Sequence, residues 1–176
     1  ACTAWSGRGR LPSGGIQSLL EARDGSLWIG TNGGGLVHLR GEELRTYTTV
    51  DGLSSDIVNI VHEDVEGTLW VGTFGGGLNR MRGDRFTAYT TSQGLYDDAI
   101  FSILEDTRGR LWMSCNKGVF RVDKRELDDL DRGVVSRLQP VSYGVEDGMK
   151  NRECNGANFP PAWKDATGRL WFPTIE

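Results

Sequence analysis

The chain has 176 residues, of which 38% are hydrophobic, with 25 glycines, 5 prolines and a formal net charge of −4. These values are typical of one globular domain rich in turns and do not suit a proline-rich linker. Acidic and basic residues are interspersed without a basic stripe, which disfavours a nucleic-acid partner, and no apolar run reaches the roughly 18 residues needed to cross a membrane.

A repeat organises the chain. The stretch 24–36 returns in altered form at 67–78, 109–119 and 168–174. Trp28, Trp70 and Trp112 are spaced 42 residues apart, whereas Trp171 follows Trp112 by 59, which is explained by one insertion of 17 residues. A period of about 40 to 45 residues is typical of arrays whose units bury their faces only against their neighbours.

Each unit contains four short apolar runs separated by turns. In the second unit these are 57–64, 68–73, 78–81 and 85–90, with turns rich in glycine or aspartate between them. The first unit matches the second position for position from 16 to 56. The third unit loses one residue in its glycine loop, at Asn116, Lys117 and Gly118. The pattern predicts four strands in each unit.

Runs such as 27–30 are apolar on both faces, so each small sheet must be covered on both sides. Radial packing provides this cover, and we predict an all-β fold: a β-propeller fragment of about three to four blades, each with four antiparallel strands. The predicted blades are 11–53, 54–95 and 96–149, with a truncated further blade at 150–176 and the end of a preceding blade, or foreign sequence, at 1–10. We expect each repeat Trp to lie buried on the second strand of its blade.

The insertion after the third unit has the pattern of a helix. Asp123 can cap it, Glu126 stands three residues later as in a capping box, Leu127 and Leu130 give an apolar edge, and Gly133 ends it. We predict a short helix near 124–131.

The cysteines give no cluster. Cys2, Cys115 and Cys154 are odd in number and lack C-x-x-C spacing, so neither a zinc cluster nor a full disulfide framework is indicated. Cys115 follows its Trp by three residues, a place that threonine holds in the other units, and we interpret it as a packed strand thiol.

The composite pattern Asp-x-x-Gly-x-Leu-Trp-x-Gly-Thr-x-Gly-Gly-Gly-Leu, followed by Tyr-Thr-x-x-x-Gly-Leu-Ser-Ser-Asp-x-Val, resembles the two-component regulator propeller repeat. The resemblance covers 11–176, and the segments 147–149, 152–156 and 170–174 look like the last helix-bearing blades of such propellers. WD40 and kelch arrays fit worse, because the Trp-Asp dipeptide is absent and the kelch period is about 50. The resemblance implies the periplasmic sensor of a histidine kinase, hybrid two-component regulator or diguanylate cyclase receptor, with further blades and receptor domains as partners. In that family some members detect glycans.

Catalytic chemistry has few candidates. His38 and His62 belong to different strands, and the glycine triplets at 33–35 and 75–77 lack the helix and Lys-Ser or Lys-Thr of a phosphate loop. The acidic residues six and seven positions before each Trp recur in almost every unit, so we interpret them as closing the first hairpin rather than as metal ligands. We therefore predict no enzyme activity, metal or cofactor. A propeller lyase or hydrolase fragment and a structural interaction scaffold stay open as alternatives.

Two sets of loop residues emerge on one face of a propeller: the loop between the second and third strands, and the connection into the next blade. Aromatic, amide and carboxylate side chains there suit a small molecule or oligosaccharide. We also expect self-association, because an arc of blades leaves apolar faces uncovered. The predicted ligand-binding residues are Asn32, Asp56, Phe74, Tyr96, Asp97, Asp98, Asn116, Lys117, Asn151, Arg152, Glu153 and Asn155.

Overall fold

The computed structural model describes residues 11–12, 14–154 and 161–175. The range 1–10, with Cys2, and the candidate residue Asn155 lie outside the described residues, so the predictions made for them are not addressed by the structure.

Fourteen strands form four antiparallel sheets in the described part of the chain, three with four strands and one with two. The first sheet contains β1 (Ile16–Glu21), β2 (Leu27–Thr31), β3 (Leu36–Arg40) and β4 (Glu43–Tyr47). The second contains β5 (Val58–Glu63), β6 (Leu69–Thr73), β7 (Leu78–Arg82) and β8 (Arg85–Tyr89). The third contains β9 (Ser102–Glu105), β10 (Arg110–Cys115), β11 (Gly118–Asp123) and β12 (Val141–Tyr143), and the fourth contains β13 (Trp163–Lys164) and β14 (Leu170–Trp171).

Each strand pairs with the next one along the chain, so every sheet is an up-and-down meander. This confirms the predicted all-β fold, a fragment of a propeller built from four-stranded blades. Among the described residues, no helix is long and apolar enough to cross a membrane.

The aspartate six residues before each later Trp closes the first hairpin of its own sheet. Asp64 accepts through Oδ1 from the backbone N–H groups of Glu66 and Thr68, both at 2.9 Å, and through Oδ2 from Trp70 Nε1 at 2.9 Å. The same bonds from the indole N–H recur at Asp106 and Asp165, at 2.8 and 3.0 Å. The interpretation of these aspartates as turn residues is confirmed.

The glutamate one position earlier has a different role from the one expected. Glu63 Oε2 accepts from the backbone N–H of Arg23 at 2.9 Å, and Glu105 Oε2 accepts from that of Val65 at 2.9 Å. Each glutamate therefore binds the first hairpin of the preceding sheet, not its own. The repeated position links neighbouring sheets.

Two hydrophobic clusters lie between the sheets. One joins the first and second sheets around Trp28, Leu36 and Val71. The other joins the second and third sheets and includes Trp70 and Phe120. These clusters cover sheets that are apolar on both faces, as the sequence pattern required.

The insertion forms α1 (Lys124–Asp131), and Asp123 caps it by accepting from Arg125 N at 2.9 Å. Glu126 does not complete a capping box. Its Oε1 accepts instead from the backbone N–H of Gln139 at 2.6 Å, which fastens the segment after the helix. Gly133 follows the helix with a φ of 71°, consistent with the predicted stop.

The four repeat tryptophans all lie on second strands, but they are not equally buried. Trp28 and Trp70 are 9% and 1% exposed, whereas Trp112 is half-buried and Trp171 is 55% exposed. The expectation that every repeat Trp is buried was therefore wrong for the last two. The physical reason is that a following sheet covers Trp28 and Trp70, while the two described strands of the fourth sheet leave Trp112 partly open.

Cys115 is fully buried at the end of β10, with its Sγ 3.4 Å from the Gly118 carbonyl oxygen. Thr31 and Thr73 make the equivalent bond through Oγ1 at 2.7 and 2.9 Å. Burial raises the pKa of the Cys115 thiol to about 12. The interpretation of Cys115 as a packed strand thiol is confirmed.

Candidate ligand-binding loops

The loop between the second and third strands ends, in the first two units, at a glycine whose place leaves no room for a side chain. Gly35 and Gly77 have φ values of 79° and 72°, and a Cβ at either position would collide with the carbonyl oxygen of Tyr47 or Tyr89. Just after the second strand, each loop displays side chains that vary from unit to unit. These are Asn32 in the first unit and Phe74 in the second, while the shortened third loop displays Asn116 and Lys117.

The connection between sheets begins with a single 3₁₀ turn. Thr48 and Thr90 cap the turns Thr49–Asp51 and Thr91–Gln93 in capping boxes. Asp56 accepts from the Thr49 backbone N–H at 2.7 Å, and Asp98 accepts from that of Thr91 at 2.7 Å. Both carboxylates also bind the hydroxyl group of that same threonine. Asp56 and Asp98 thus hold the connection in shape.

The residue before Asp56, Asp98 and the equivalent Arg152 turns the chain into the next sheet. Ser55 Oγ accepts from Ile57 N at 3.2 Å, Asp97 Oδ1 accepts from Ala99 N at 2.9 Å, and Asn151 Oδ1 accepts from Glu153 N at 3.0 Å. The three side chains have the same task and differ in their remaining hydrogen-bonding groups.

The two loop sets lie against each other, as the propeller topology predicts. The backbone N–H groups of Gly33 and Gly35 donate to the Asp56 carbonyl oxygen, at 3.1 and 2.9 Å. Gly75 and Gly77 repeat this arrangement with the Asp98 carbonyl oxygen, at 2.9 and 2.8 Å. We call the surface formed by these two loop sets the loop face.

Side chains also cross between the two sets. Ser55 Oγ donates to the Phe74 carbonyl oxygen at 2.9 Å, and Lys117 Nζ lies 3.1 Å from Asp97 Oδ2. The hydrogen bond and charge of Asp97 raise the pKa of Lys117, so this ammonium group stays protonated. The loop face therefore carries an ion pair in the third unit where the second unit has a hydroxyl group.

The candidate residues differ in how freely they could meet a ligand. Phe74 is 49% exposed, and Asn32, Asn116, Lys117, Arg152 and Glu153 are also exposed. Tyr96 is partly buried, its ring centroid 5.4 Å from that of Phe120 and its hydroxyl 3.4 Å from the Lys117 carbonyl oxygen. Arg152, which replaces the capping aspartate, lies 3.7 Å from Glu146.

A large cavity lies elsewhere, and the sequence analysis did not identify it. It has a volume of about 860 Å³ between the third and fourth sheets, and none of the described candidate residues lines it. Trp112 and Tyr143 stack in it with ring centroids 5.3 Å apart, and the guanidinium groups of Arg110 and Arg121 each lie 5.7 Å from the Trp112 ring. Burial alone would raise the pKa of Asp106 there, but hydrogen bonds from Trp112 and Arg110 lower it to about 2. The recurring Trp and Tyr positions of the repeat were the sequence signal that could have pointed to this cavity.

Comparison with known proteins supports the repeat. The sequence model of the family described as two component regulator propeller matches residues 10–33, 52–75 and 97–117. No curated protein matches the chain. Each matched segment ends at the loop between the second and third strands, so the match includes the first hairpin and that loop in each of the three units.

Two solved structures are extracellular domains assigned to hybrid two component systems of B. thetaiotaomicron. The domain of BT4673 is 26% identical over 92% of this chain and 22% of its own length, with a TM-score of 0.73. That of BT3049 is 22% identical over 89% of this chain and 20% of its own length, with a TM-score of 0.72. The chain thus spans only about a fifth of the length of these domains.

Virginiamycin B lyase from Staphylococcus aureus shares the fold alone. It is 14% identical over 92% of this chain and 50% of its own length, with a TM-score of 0.66. The matched segments, the three complete four-stranded sheets and the structural likeness together lead to one conclusion: the segments 10–33, 52–75 and 97–117 are two-component regulator propeller repeats.

Proposed function

We propose that this propeller is the ligand-sensing part of the periplasmic region of a bacterial two-component or diguanylate cyclase receptor, and that it binds an oligosaccharide at the loop face. The observation that carries the proposal is a contrast within the repeat. Backbone bonds at Gly33, Gly75 and their partners recur from unit to unit, while the exposed side chains between them differ. Selective binding by a symmetric framework needs such variation at one surface.

The side chains of the loop face suit a sugar. The half-exposed Phe74 ring offers an apolar surface for the C–H groups of a pyranose. Asn32, Asn116 and the Asp97–Lys117 pair offer donors and acceptors for hydroxyl groups. The periplasmic location is supported by the two relatives, whose structures are those of extracellular domains.

We place the domain among binding proteins rather than enzymes. His38 stacks on Trp28, and His62 lies on β5 with its pKa lowered by burial. Neither imidazole therefore lies with the loop residues as a general base would. Incubation of the protein with oligosaccharides, with and without a chelator, tests this part directly, because any turnover contradicts it.

Binding is tested by calorimetric titration of the receptor's complete extracytoplasmic region with a panel of oligosaccharides. Phe74→Ala should weaken the affinity for the recognised sugar about tenfold, which corresponds to about 1.4 kcal/mol. Val134→Ala removes an apolar side chain that is 68% exposed and lies after α1, away from the loop face, and should leave the affinity unchanged. Equal affinities for Phe74→Ala and the unaltered protein would place the sugar elsewhere.

A further inference from the structure

In the second and third sheets, the connection between the third and fourth strands lies over the side of the preceding sheet that carries its Trp. In the third sheet this connection is α1, and it closes the cleft between the second and third sheets. Its first residue, Lys124, is 9% exposed and places Nζ 2.9 Å from Asp64 Oδ2 and 2.6 Å from Glu105 Oε1. Asp64 Oδ2 also accepts from the Trp70 indole N–H. An alkylammonium side chain thus fills this cleft beside an aromatic ring.

The cleft between the first and second sheets lacks this filling. Gly83 occupies the place of Lys124, directly after the third strand, and the connection is only the Gly83–Asp84 turn. Two adjoining cavities of about 410 and 280 Å³ remain, and both are lined by Trp28, His38, Met81 and Gly83. We call them together the first cleft.

One carboxylate in the first cleft has lost its counterpart. Glu63 is equivalent to Glu105, and its Oε2 makes the same bond to the preceding hairpin. Its Oε1 lies beside Gly67, and both residues line the smaller cavity. Where Lys124 binds Glu105 Oε1, none of the described cations makes an ion pair with Glu63.

The remaining walls suit the hydrocarbon part of an amine. Trp28 and His38 stack at 3.9 Å with an interplanar angle of 6°. Burial lowers the pKa of His38, with Asp24 acting in the opposite direction, so the ring stays neutral near pH 7 and does not repel a cation. The cations at the outer end are already paired, Arg40 with Asp24 at 3.4 Å and Arg45 with Asp84 at 3.0 Å. Aromatic faces attract ammonium groups further.

We propose that the first cleft binds a small molecule with a primary alkylammonium group, its nitrogen at Glu63 and its hydrocarbon chain against Trp28 and His38, as the Lys124 side chain lies in the next cleft. This site is separate from the loop face and does not depend on the oligosaccharide proposal.

Pentylamine, which carries the ammonium group of a lysine side chain on a similar alkyl chain, is the probe. Calorimetric titration of the full chain at pH 7 should give saturable binding of pentylamine and none of pentanol, which has no charge. Glu63→Gln keeps an oxygen for the Arg23 N–H but removes the charge, and should weaken binding about tenfold or more. Glu42→Gln makes the same charge change outside the first cleft and should have no effect.

A second variant tests the site by gain rather than loss. Ala22 stands where Asp64 stands in the second unit, so Ala22→Asp should supply the second carboxylate that Lys124 has in its cleft. It should strengthen pentylamine binding by about tenfold. Equal binding of pentylamine by Glu63→Gln, equal binding of pentanol, or unchanged or weaker binding by Ala22→Asp would each overturn the proposal.

Discussion

The tryptophans of the repeat occupy equivalent positions, but we expect them to contribute differently to the free energy of unfolding. Trp70 is 1% exposed, its indole N–H binds Asp64, and its ring lies 6.4 Å from that of Tyr89. Trp171 makes the same bond to Asp165 but is 55% exposed. The hydrogen bond is common to both residues, so burial accounts for the difference between them.

Replacement of Trp70 by alanine should therefore cost about 3 to 5 kcal/mol of unfolding free energy, because it leaves a large cavity between the second and third sheets. Trp171→Ala is the matched control. It removes the same kind of hydrogen bond but should cost clearly less, because a side chain that is 55% exposed leaves little cavity behind. Urea denaturation of both variants measures the two costs. Equal losses would show that the cleft around Trp70 does not support the fold as described.

His62 should make the stability depend on pH. Its Nε2 is buried without a hydrogen-bond partner among the described residues. Burial lowers its pKa below the ordinary 6.5; Glu105 and Asp64 act in the opposite direction, and Lys124 and Lys164 act with burial. The unfolded chain then binds more protons than the folded chain once the pH falls below about 6.5, so stability is full above this value and declines below it.

We expect the unfolding free energy to fall between pH 7.5 and pH 5.5, and His62→Gln to reduce that fall. His38→Gln should keep most of it, because the His38 ring lines an open cavity and is less strongly desolvated. Denaturant titrations at the two pH values compare the three proteins. A pH dependence that survives unchanged in His62→Gln would assign it to other groups.

The sequence was informative about residues whose role is local. The turn aspartates and Cys115 were interpreted correctly because the spacing to the repeat Trp fixed their place on the hairpin or strand. The burial of Trp112 and Trp171 was not predictable in this way. It depends on what the following sheet places over each ring, and the spacing of one unit does not contain that information.

At the scale of elements, α1 acts as a lid on the second sheet. Arg80 is 2% exposed and binds Asp128 and Asp131 of the helix, while Tyr89 donates to Asp131 at 3.0 Å. The Arg80 guanidinium also lies 5.4 Å from the centroid of the Trp70 ring. The helix thus supplies the acidic partners that a buried arginine requires.

Removal of one partner should expose this dependence. Asp131→Ala leaves Arg80 and the Tyr89 hydroxyl short of an acceptor and should cost about 1 to 3 kcal/mol of unfolding free energy. Asp129→Ala removes an aspartate that pairs with Arg132 at the surface, at 2.6 Å, and should change stability by no more than about 1 kcal/mol. Thermal or urea unfolding of the two helix variants decides between them. If Asp129→Ala cost as much as Asp131→Ala, the contacts of Asp131 with the second sheet would not explain the loss of stability.

The position of α1 followed from its cap and its stop, both of which are signals within the helix. Its contacts did not follow. Glu126 fits a capping box by spacing, yet it binds Gln139 because the returning chain brings that backbone N–H within 2.6 Å. The first cleft was not predicted either. The insertion of 17 residues was visible in the sequence, but not that its helix fills one cleft while the Gly83–Asp84 turn leaves the other open.

At the scale of the whole molecule, the fourth sheet presents apolar surface to solvent. Trp163 and Trp171 are 62% and 55% exposed, and β14 has no further strand paired to its outer edge among the described residues. Exposed apolar patches and open sheet edges favour association.

We therefore expect the isolated chain to self-associate, so that light scattering gives a concentration-dependent mass above 19.4 kDa. Replacement of Trp163 and Trp171 together by glutamine should lower that mass, whereas Val50→Gln, at a residue 94% exposed on a 3₁₀ turn, should not. A chain that stays monomeric at all concentrations would contradict the expectation.

The loop face was predicted in its position but not in the roles of its side chains. Its two loop sets were placed together correctly, because propeller topology brings them to one side. Asp56 and Asp98 were chosen for their carboxylates, but both are occupied by the threonines that begin their connections. The sequence could not separate a carboxylate that holds the backbone from one that is free to bind.

The connections between the third and fourth strands have an evolutionary consequence, because they cover the preceding sheet. The first and second sheets are each closed by a connection that belongs to the next unit, as Asp84 closes over Tyr47 and Asp131 over Tyr89. A duplicated unit inserted into the gene therefore brings a cover for its predecessor and finds one in its successor. We therefore expect differences between units to collect in these connections, as they do between the Gly83–Asp84 turn and α1, while the strands keep their pattern.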